Sequence, residues 1–364
     1  MSELEKNREL IDEIDKQMAA LFEKRFATVR EIALFKSQNG LPIQDPSREE
    51  AVIRKNAPYI EDPDIRTFYV KYMQSTMELS RRFMSNVTSG MKIAYSGVEG
   101  AFASIAAGRI FPNGNLVPFR NFDEAYESVV SGECDCCVLP IENSYTGEVG
   151  RVTDLAFSGN LYINGVYSLS IRHHLLGVNG AGPSDIRKVI SHQQALDQCA
   201  DYIHEKGYET EEAANTAVAA KTVAEKGDRG VAAIASAETA SIYSLSILDH
   251  DINASNVNTT RFAVFSRFAK TPITARNNFI LLFTVNDEVG ALAKAVNIIC
   301  AHGFNMRVLR SRPVRDTPWQ YYFYVEAEGN QHSEEGVSML KQLSVCCARL
   351  KIAGHYAEEV NLDI

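Results

Sequence analysis

Cys136-Cys137-Val138-Leu139-Pro140-Ile141-Glu142-Asn143-Ser144 passes without a break from apolar to polar, and its reading decides the fold of the middle of this chain. Cys136–Ile141 predicts a buried strand, and a carboxylate, an amide and a hydroxyl stand at its end. Such groups are costly to bury unpaired, so a polar cluster at a strand end faces a ligand or another polar cluster. A second run, Asn258-Thr259-Thr260-Arg261-Phe262, has the same make-up beside another apolar strand, Arg261–Phe265. Asn, Ser and Thr also serve plain turn chemistry. Two such runs together point instead to a site that holds and works on a small anion.

Upstream, Lys92–Tyr95 predicts a short strand, Gly97-Val98-Glu99-Gly100 a turn, and Ala101 the start of a helix. A helix start after a glycine turn offers free backbone N–H groups to an anion. The third glycine and the acidic strand end of a dinucleotide fingerprint are missing, so no nicotinamide cofactor is expected. Strands at Leu161–Ile171, Lys188–Ser191 and Val231–Ile234 alternate with helical stretches. That pattern predicts a two-lobed α/β region, periplasmic-binding-protein-like, with two crossings and a cleft between the lobes.

The front of the chain is different. From Leu4 to Lys36 there is no Gly or Pro, and Leu10, Ile14, Met18, Leu21, Val29 and Ile32 recur at helical spacing. Gly40 and Pro42 stop this helix; Asp45-Pro46 suits the cap of a second, and a third is expected from Pro63 to Met84. Three helices, one of them so long, predict an intertwined dimer. Arg25 and Lys36 share a face ~16 Å apart, the span of a small dicarboxylate, whereas Arg8 lies ~40 Å from Lys36 and reaches that gap only from a partner chain. Ser85–Gly90 reads as a linker, and residues 268–276 as a second one. Beyond it, a strand–helix–strand–strand–helix–strand order predicts an α+β ferredoxin-like domain.

With 364 residues, two or three domains are expected. A net charge of −9 argues against a general nucleic-acid binder. No apolar stretch reaches the ~20 residues that span a bilayer. Seven cysteines without metal or disulfide spacing fit a reducing cytoplasm, and no metal site is expected.

These segments resemble known families. Gly97–Phe102, Pro140–Gly147, Ser191–Leu196, Asn215–Ala217 and Thr260–Phe262 resemble, in order, the signature segments of prephenate dehydratases. The resemblance implies loss of water and carbon dioxide from prephenate to give phenylpyruvate, with no cofactor. It implies Thr260 as a positioned donor to the departing hydroxyl, because a threonine hydroxyl is too weak an acid to ionise near neutrality. Arg261 would clamp a carboxylate, and Glu142, Asn143, Ser144, His192, Gln194, Thr216 and Phe262 would line the substrate site. Residues 5–85 resemble the all-helical chorismate mutase domain. There Arg8, Arg25, Lys36, Asp45, Arg48, Glu49 and Ser80 match its substrate site, with Lys36 donating to the ether oxygen of the breaking bond. Met84 stands where that family carries Gln or Glu, and a thioether donates no hydrogen bond. The helical domain is therefore either a competent mutase or a dimeriser. The C-terminal segment resembles the ACT domain, a phenylalanine sensor, through Gly290-Ala291-Leu292, Asn305 and Ser311-Arg312-Pro313. Arg310 replaces the usual Glu, and Arg307 a common Thr.

The expectation is thus domains at 1–87, 91–268 and 277–364, chorismate and prephenate as substrates, phenylalanine as effector, and a homodimer or homotetramer. Removing residues 277–364 is expected to leave an active but insensitive enzyme. Two other readings stand beside it: a solute receptor, which the two lobes allow, and a dehydratase preferring arogenate.

Overall fold

The computed structural model describes residues 2–254, 257–270, 277–315 and 317–363. The chain divides into two compact units, Met1–Met91 and Lys92–Ile364.

In the helical unit α1 spans Glu3–Gln38, α2 Pro46–Asn56 and α3 Pro63–Ser89. Each start is written locally. Ser2 and Glu5 cap one another reciprocally, Asp45 accepts from the Arg48 N–H, and Asp62 accepts from those of Asp64 and Ile65. Pro46 and Pro63 fill first-turn positions where no N–H is needed. Gly40, at φ +64°, releases the chain from α1. The C-terminal half of α1 packs Val29 and Ala33 against Met84 of α3. Its N-terminal half leaves Leu10, Ile14, Met18 and Leu21 exposed. The expected linker Ser85–Gly90 is instead the last turn of α3, which runs to Ser89. Thr88 is satisfied within that helix by donating to the Met84 carbonyl, so only Gly90, at φ +75°, breaks it.

The second unit opens with β1 (Lys92–Ser96), α4 (Phe102–Ile110), β2 (Asn115–Phe119), α5 (Phe122–Ser131), β3 (Cys136–Asn143), β4 (Gly147–Glu148), α6 (Gly150–Ser158) and β5 (Tyr162–Ser170). The chain then crosses into a second lobe of β6 (His174–Gly177), β7 (Lys188–Ser191), α7 (Gln193–Gln198), α8 (Ala200–Lys206), β8 (Glu209–Glu212), α9 (Thr216–Lys226), β9 (Val231–Ala235), α10 (Ala237–Ile242) and β10 (Ser246–Asp249). It returns as β11 (Thr259–Ser266), inserted antiparallel between β5 and β3. The second lobe has its own sheet, ordered β10-β6-β9-β7-β8. Two lobes and two crossings are as the strand pattern predicted. Short β2, β6, β8 and β10 had escaped it; β8 is Glu-Thr-Glu-Glu, a charged edge strand with no apolar face to read.

The last segment contains β12 (Asn278–Val285), α11 (Ala291–Ala301), β13 (Asn305–Pro313), β14 (Tyr321–Glu328), α12 (Glu334–Cys346) and β15 (Cys347–Tyr356), followed by β16 (Val360–Asn361). Its order β13-β14-β12-β15 is the ferredoxin-like arrangement. Of the expected linker 268–276, residues 271–276 lie outside the described residues.

This segment is not an appended module. β15 and β16 both pair with β5, so among the described residues one sheet of 11 strands serves both it and the first lobe. Ile280, Leu282, Tyr322 and Tyr324 share a core with Leu139, Ile141, Phe157 and Phe265. At the join, a Cβ on Gly354 would lie 2.1 Å from the Ile163 carbonyl oxygen, an approach only glycine permits.

Candidate active site

Where β3 and β11 end together, Thr260 pairs with Asn143 and Arg261 with Glu142, but Phe262 pairs with Pro140. Ile141 is thus an extra residue, a β-bulge that re-phases β3. Pro140 and Asn143 thereby turn to the same side as Thr260 and Phe262, and all four line a cavity of about 280 Å³ between the two lobes. The first lobe adds Ser96, Ala101, Phe102 and Ala103; the second adds His192, Gln194, Ala195, Gln198, Asn215 and Thr216; the crossing adds Ile171 and His173.

Among the described residues, no Lys or Arg lines this cavity. Positive potential comes from backbone instead. Phe102 and Ala103 begin α4, whose N-terminus carries no side-chain cap, and Thr216 begins α9. Helix N-termini attract anions through their free N–H groups and their dipoles. His192 and Asn215 are helix caps: His192 Nδ1 accepts from the Gln194 N–H, and Asn215 Oδ1 from that of Val218. The histidine is a strand-end structural group that also faces the cleft. Gln194 Nε2 reaches Thr146 Oγ1 at 3.4 Å, a side-chain contact from lobe to lobe.

Beneath the cleft runs a hydrogen-bonded chain whose direction is fixed at one end by backbone. Tyr145 and Thr146 donate their N–H groups to Asn143 Oδ1, each at 3.0 Å. The Asn143 amide must therefore turn Nδ2 to Asn258 Oδ1 and Thr260 Oγ1, both 2.9 Å away. Asn258 Nδ2 then donates to Gln198 Oε1, which also contacts His173 Nε2, each at 2.9 Å. Because Thr260 Oγ1 accepts from Asn143, its own proton is left to donate elsewhere. His173 stays neutral: burial pushes its pKa down to about 4. Sequence reading did not single out His173 or Gln198. They come from the crossing and from the end of α7, and only the fold brings them to Asn258.

Three of the expected contacts lie elsewhere. Alternation along β11 sends Arg261 to the opposite face from Thr260, so it does not clamp a ligand in the cleft. Its guanidinium is taken up by Glu326 at 2.8 Å, Glu142 at 3.0 Å and Glu359 at 3.0 Å. Burial opposes its charge, but Glu326 outweighs that and raises its pKa above the ordinary value. Glu142 shares this face and pairs with both Arg261 and Arg310. Burial works to raise its pKa, yet the hydrogen bonds from Arg310 and Arg261 hold it below the usual carboxylate range. Ser144 is exposed and ties strand ends together, donating to the Val257 carbonyl and accepting from the Thr259 N–H, each at 2.9 Å.

In the helical unit Arg25 Nη1 donates to Ser80 Oγ at 2.6 Å. Lys36 Nζ donates to the carbonyls of Pro42 and Ile43. Asp45 caps α2 through the Arg48 N–H, and Glu49 pairs with Arg81, a residue the sequence reading had not assigned. Met84 is one turn beyond Ser80, buried against Ala33. Arg8 stands on the exposed N-terminal half of α1.

In the last segment Gly290, Ala291 and Leu292 line a pocket with Thr284, Trp319, Tyr321 and Phe323. Asn305, Ser311 and Arg312 do not join them. They lie on the edge strand β13, where Asn305 donates to Glu328 and Arg312 is bound by Asp154 of α6. That buried Asp154 also accepts from Arg315 and Tyr322.

The chain matches the prephenate dehydratase family over residues 93–270 and chorismate mutase type II over residues 7–85. It is 30% identical to the bifunctional chorismate mutase/prephenate dehydratase of Aquifex aeolicus, with 98% of each chain covered. It is 33% identical to arogenate dehydratase/prephenate dehydratase 2, chloroplastic, of Arabidopsis thaliana, over 86% of this chain and 87% of that one. A solved prephenate dehydratase from Arthrobacter aurescens, in complex with L-Phe, has a TM-score of 0.68 at 26% identity over 73% of this chain and 90% of its own. Helical unit, two-lobed unit and full-length relatives agree: the chain belongs to the bifunctional chorismate mutase/prephenate dehydratase family.

Proposed function

We propose that the cleft turns prephenate into phenylpyruvate, and that the helical unit supplies prephenate from chorismate, in phenylalanine biosynthesis. In the cleft, the bond from the ring to one carboxylate breaks, its electron pair enters the ring, and carbon dioxide leaves. The ring hydroxyl departs and becomes water on gaining a proton, and aromatisation drives the step. Thr260 donates to that hydroxyl and recovers its proton from solvent. The observation that carries this reading is the Asn143–Thr260 bond, whose direction leaves the threonine proton free. Helix starts at Phe102 and Thr216 suit a dianion in a cleft that has no cationic side chain among the described residues.

In the helical unit the reaction is a rearrangement without a nucleophile, so orientation and charge stabilisation carry it. Arg25, Lys36, Arg48, Glu49 and Ser80 hold the substrate, Arg8 comes from a second copy, and Met84 leaves the ether oxygen one donor short. Exposed Leu10, Ile14, Met18 and Leu21 on α1 support an intertwined homodimer. The ferredoxin-like segment acts as an ACT-type sensor with phenylalanine as effector, seated by Gly290, Ala291 and Leu292. The L-Phe complex of the Arthrobacter relative supports that choice. Free thiols at all seven cysteines fit a reducing cytoplasm.

Purified full-length protein given prephenate should yield an ultraviolet-absorbing keto acid, and phenylalanine should suppress that yield. No turnover of prephenate would reject the reading. Arogenate belongs in the same assay, because the Arabidopsis relative carries both substrates in its name.

A further inference from the structure

β11 has two faces that do different work one residue apart. Thr260 points to the cleft, and Arg261 points to the ferredoxin-like segment. The ladder between β3 and β11 is interrupted at this step, where Arg261 pairs with Glu142 and the next residue skips to Pro140. A bulge loosens the local ladder, so the strand end carrying Thr260 needs another anchor.

Arg261 has one on every side. Nη1 donates to Glu142 at 3.0 Å and to Glu326 at 3.2 Å, and Nη2 to Glu326 at 2.8 Å. Nε donates to Glu359 at 3.0 Å, and Tyr356 Oη stands 3.4 Å from Nη2. Glu326, on β14, is 1% exposed and also accepts from the hydroxyls of Tyr324 at 2.6 Å and Tyr356 at 2.8 Å. All of these partners except Glu142 belong to the last segment. A buried carboxylate held by a two-pronged guanidinium and two phenols is a rigid support.

The geometry points to Glu326 as a positioning residue for dehydration: acting through Arg261, it fixes the strand end that carries Thr260. The ferredoxin-like segment is then part of the machinery that aligns the proton donor, besides any effector it binds. This rests on Thr260 being that donor.

The test uses the full-length chain and follows prephenate turnover in four proteins. Wild type and Thr260→Ala come first; if they turn over equally, the dehydratase reading of the cleft fails and the role of Glu326 falls with it. Given a Thr260 effect, Glu326→Gln keeps the shape and removes the charge. It should lower kcat on the order of 10²-fold, the effect of a small misplacement of a reacting group, with KM nearly unchanged. Glu359→Gln, at the exposed end of the same network, should fold normally and lower kcat a few-fold in the same manner. Its result decides the matter if Glu326→Gln does not fold. Wild-type kcat in the folded variants, even with a lower melting temperature, would make the network structural only. A raised KM at constant kcat would place it in substrate binding. Either outcome overturns the proposal.

Discussion

Thr260 and Arg261 are neighbours whose substitutions should read differently, because one meets the cleft and the other does not. Thr260→Ala removes a positioned donor and should cost about 10²–10³ in kcat without unfolding the protein. Thr260→Ser keeps the hydroxyl and should recover much of that loss in the same assay. His173 gives a second test, on stability. Its pKa falls from 6.5 to about 4 on folding, so between those values the unfolded chain binds a proton that the folded chain refuses. Its contribution is complete above pH 6.5 and is lost as pH falls to about 4. A shift of this size is worth up to about 3 kcal/mol. Burial also lowers His174 and His355, which adds to the same slope. Denaturant melts should show lower stability at pH 5 than at pH 7, and His173→Gln should flatten the difference. Asn143 and Thr260 were readable as polar groups beside apolar strands, whereas Gln194 and Thr216 came only from the resemblance to prephenate dehydratases. The opposite facing of Arg261 follows from alternation beside Thr260; what no side chain announces is the bulge at Ile141, which turns Pro140 to the cleft.

At the level of elements, the Asp45-Pro46 helix start and the strand–turn–helix opening were legible because their signals are local. Asp45 accepts from the Arg48 N–H three residues on, and the caps at Ser2 and Asp62, which the sequence reading did not single out, work in the same way. The end of α3 was misread for the same reason in reverse: Asn86 and Ser89 look like linker residues, yet each fits a helix already nucleated upstream. The His173–Gln198–Asn258 contacts were illegible, since they join a crossing, a helix end and a strand entry far apart in sequence. Met84 shows how an element constrains chemistry. It is 8% exposed and fills the small α1–α3 core beside Val29 and Ala33. Met84→Gln should raise chorismate turnover by about 10²-fold if the missing donor is the limitation. It should also lower unfolding stability by about 1–3 kcal/mol, the cost of a polar group left unpaired in that core. Chorismate consumption and urea melts measure the two effects separately.

For the whole molecule, the order of segments was legible but their independence was not. Periodicity predicted a ferredoxin-like domain after a linker; it could not reveal that β15 and β16 pair with β5. Deleting residues 277–364 should therefore give aggregated protein rather than a soluble, insensitive enzyme. The deletion uncovers Leu139, Ile141 and Phe265, which share a core with Ile280, Leu282, Tyr322 and Tyr324. Size-exclusion chromatography of the truncated chain checks this, and a monodisperse active product would contradict it. The shared sheet also orders events during synthesis. The helices of residues 3–89 take no part in that sheet, whereas the nascent first lobe waits, one flank of β5 bare, until residues 347–361 have emerged.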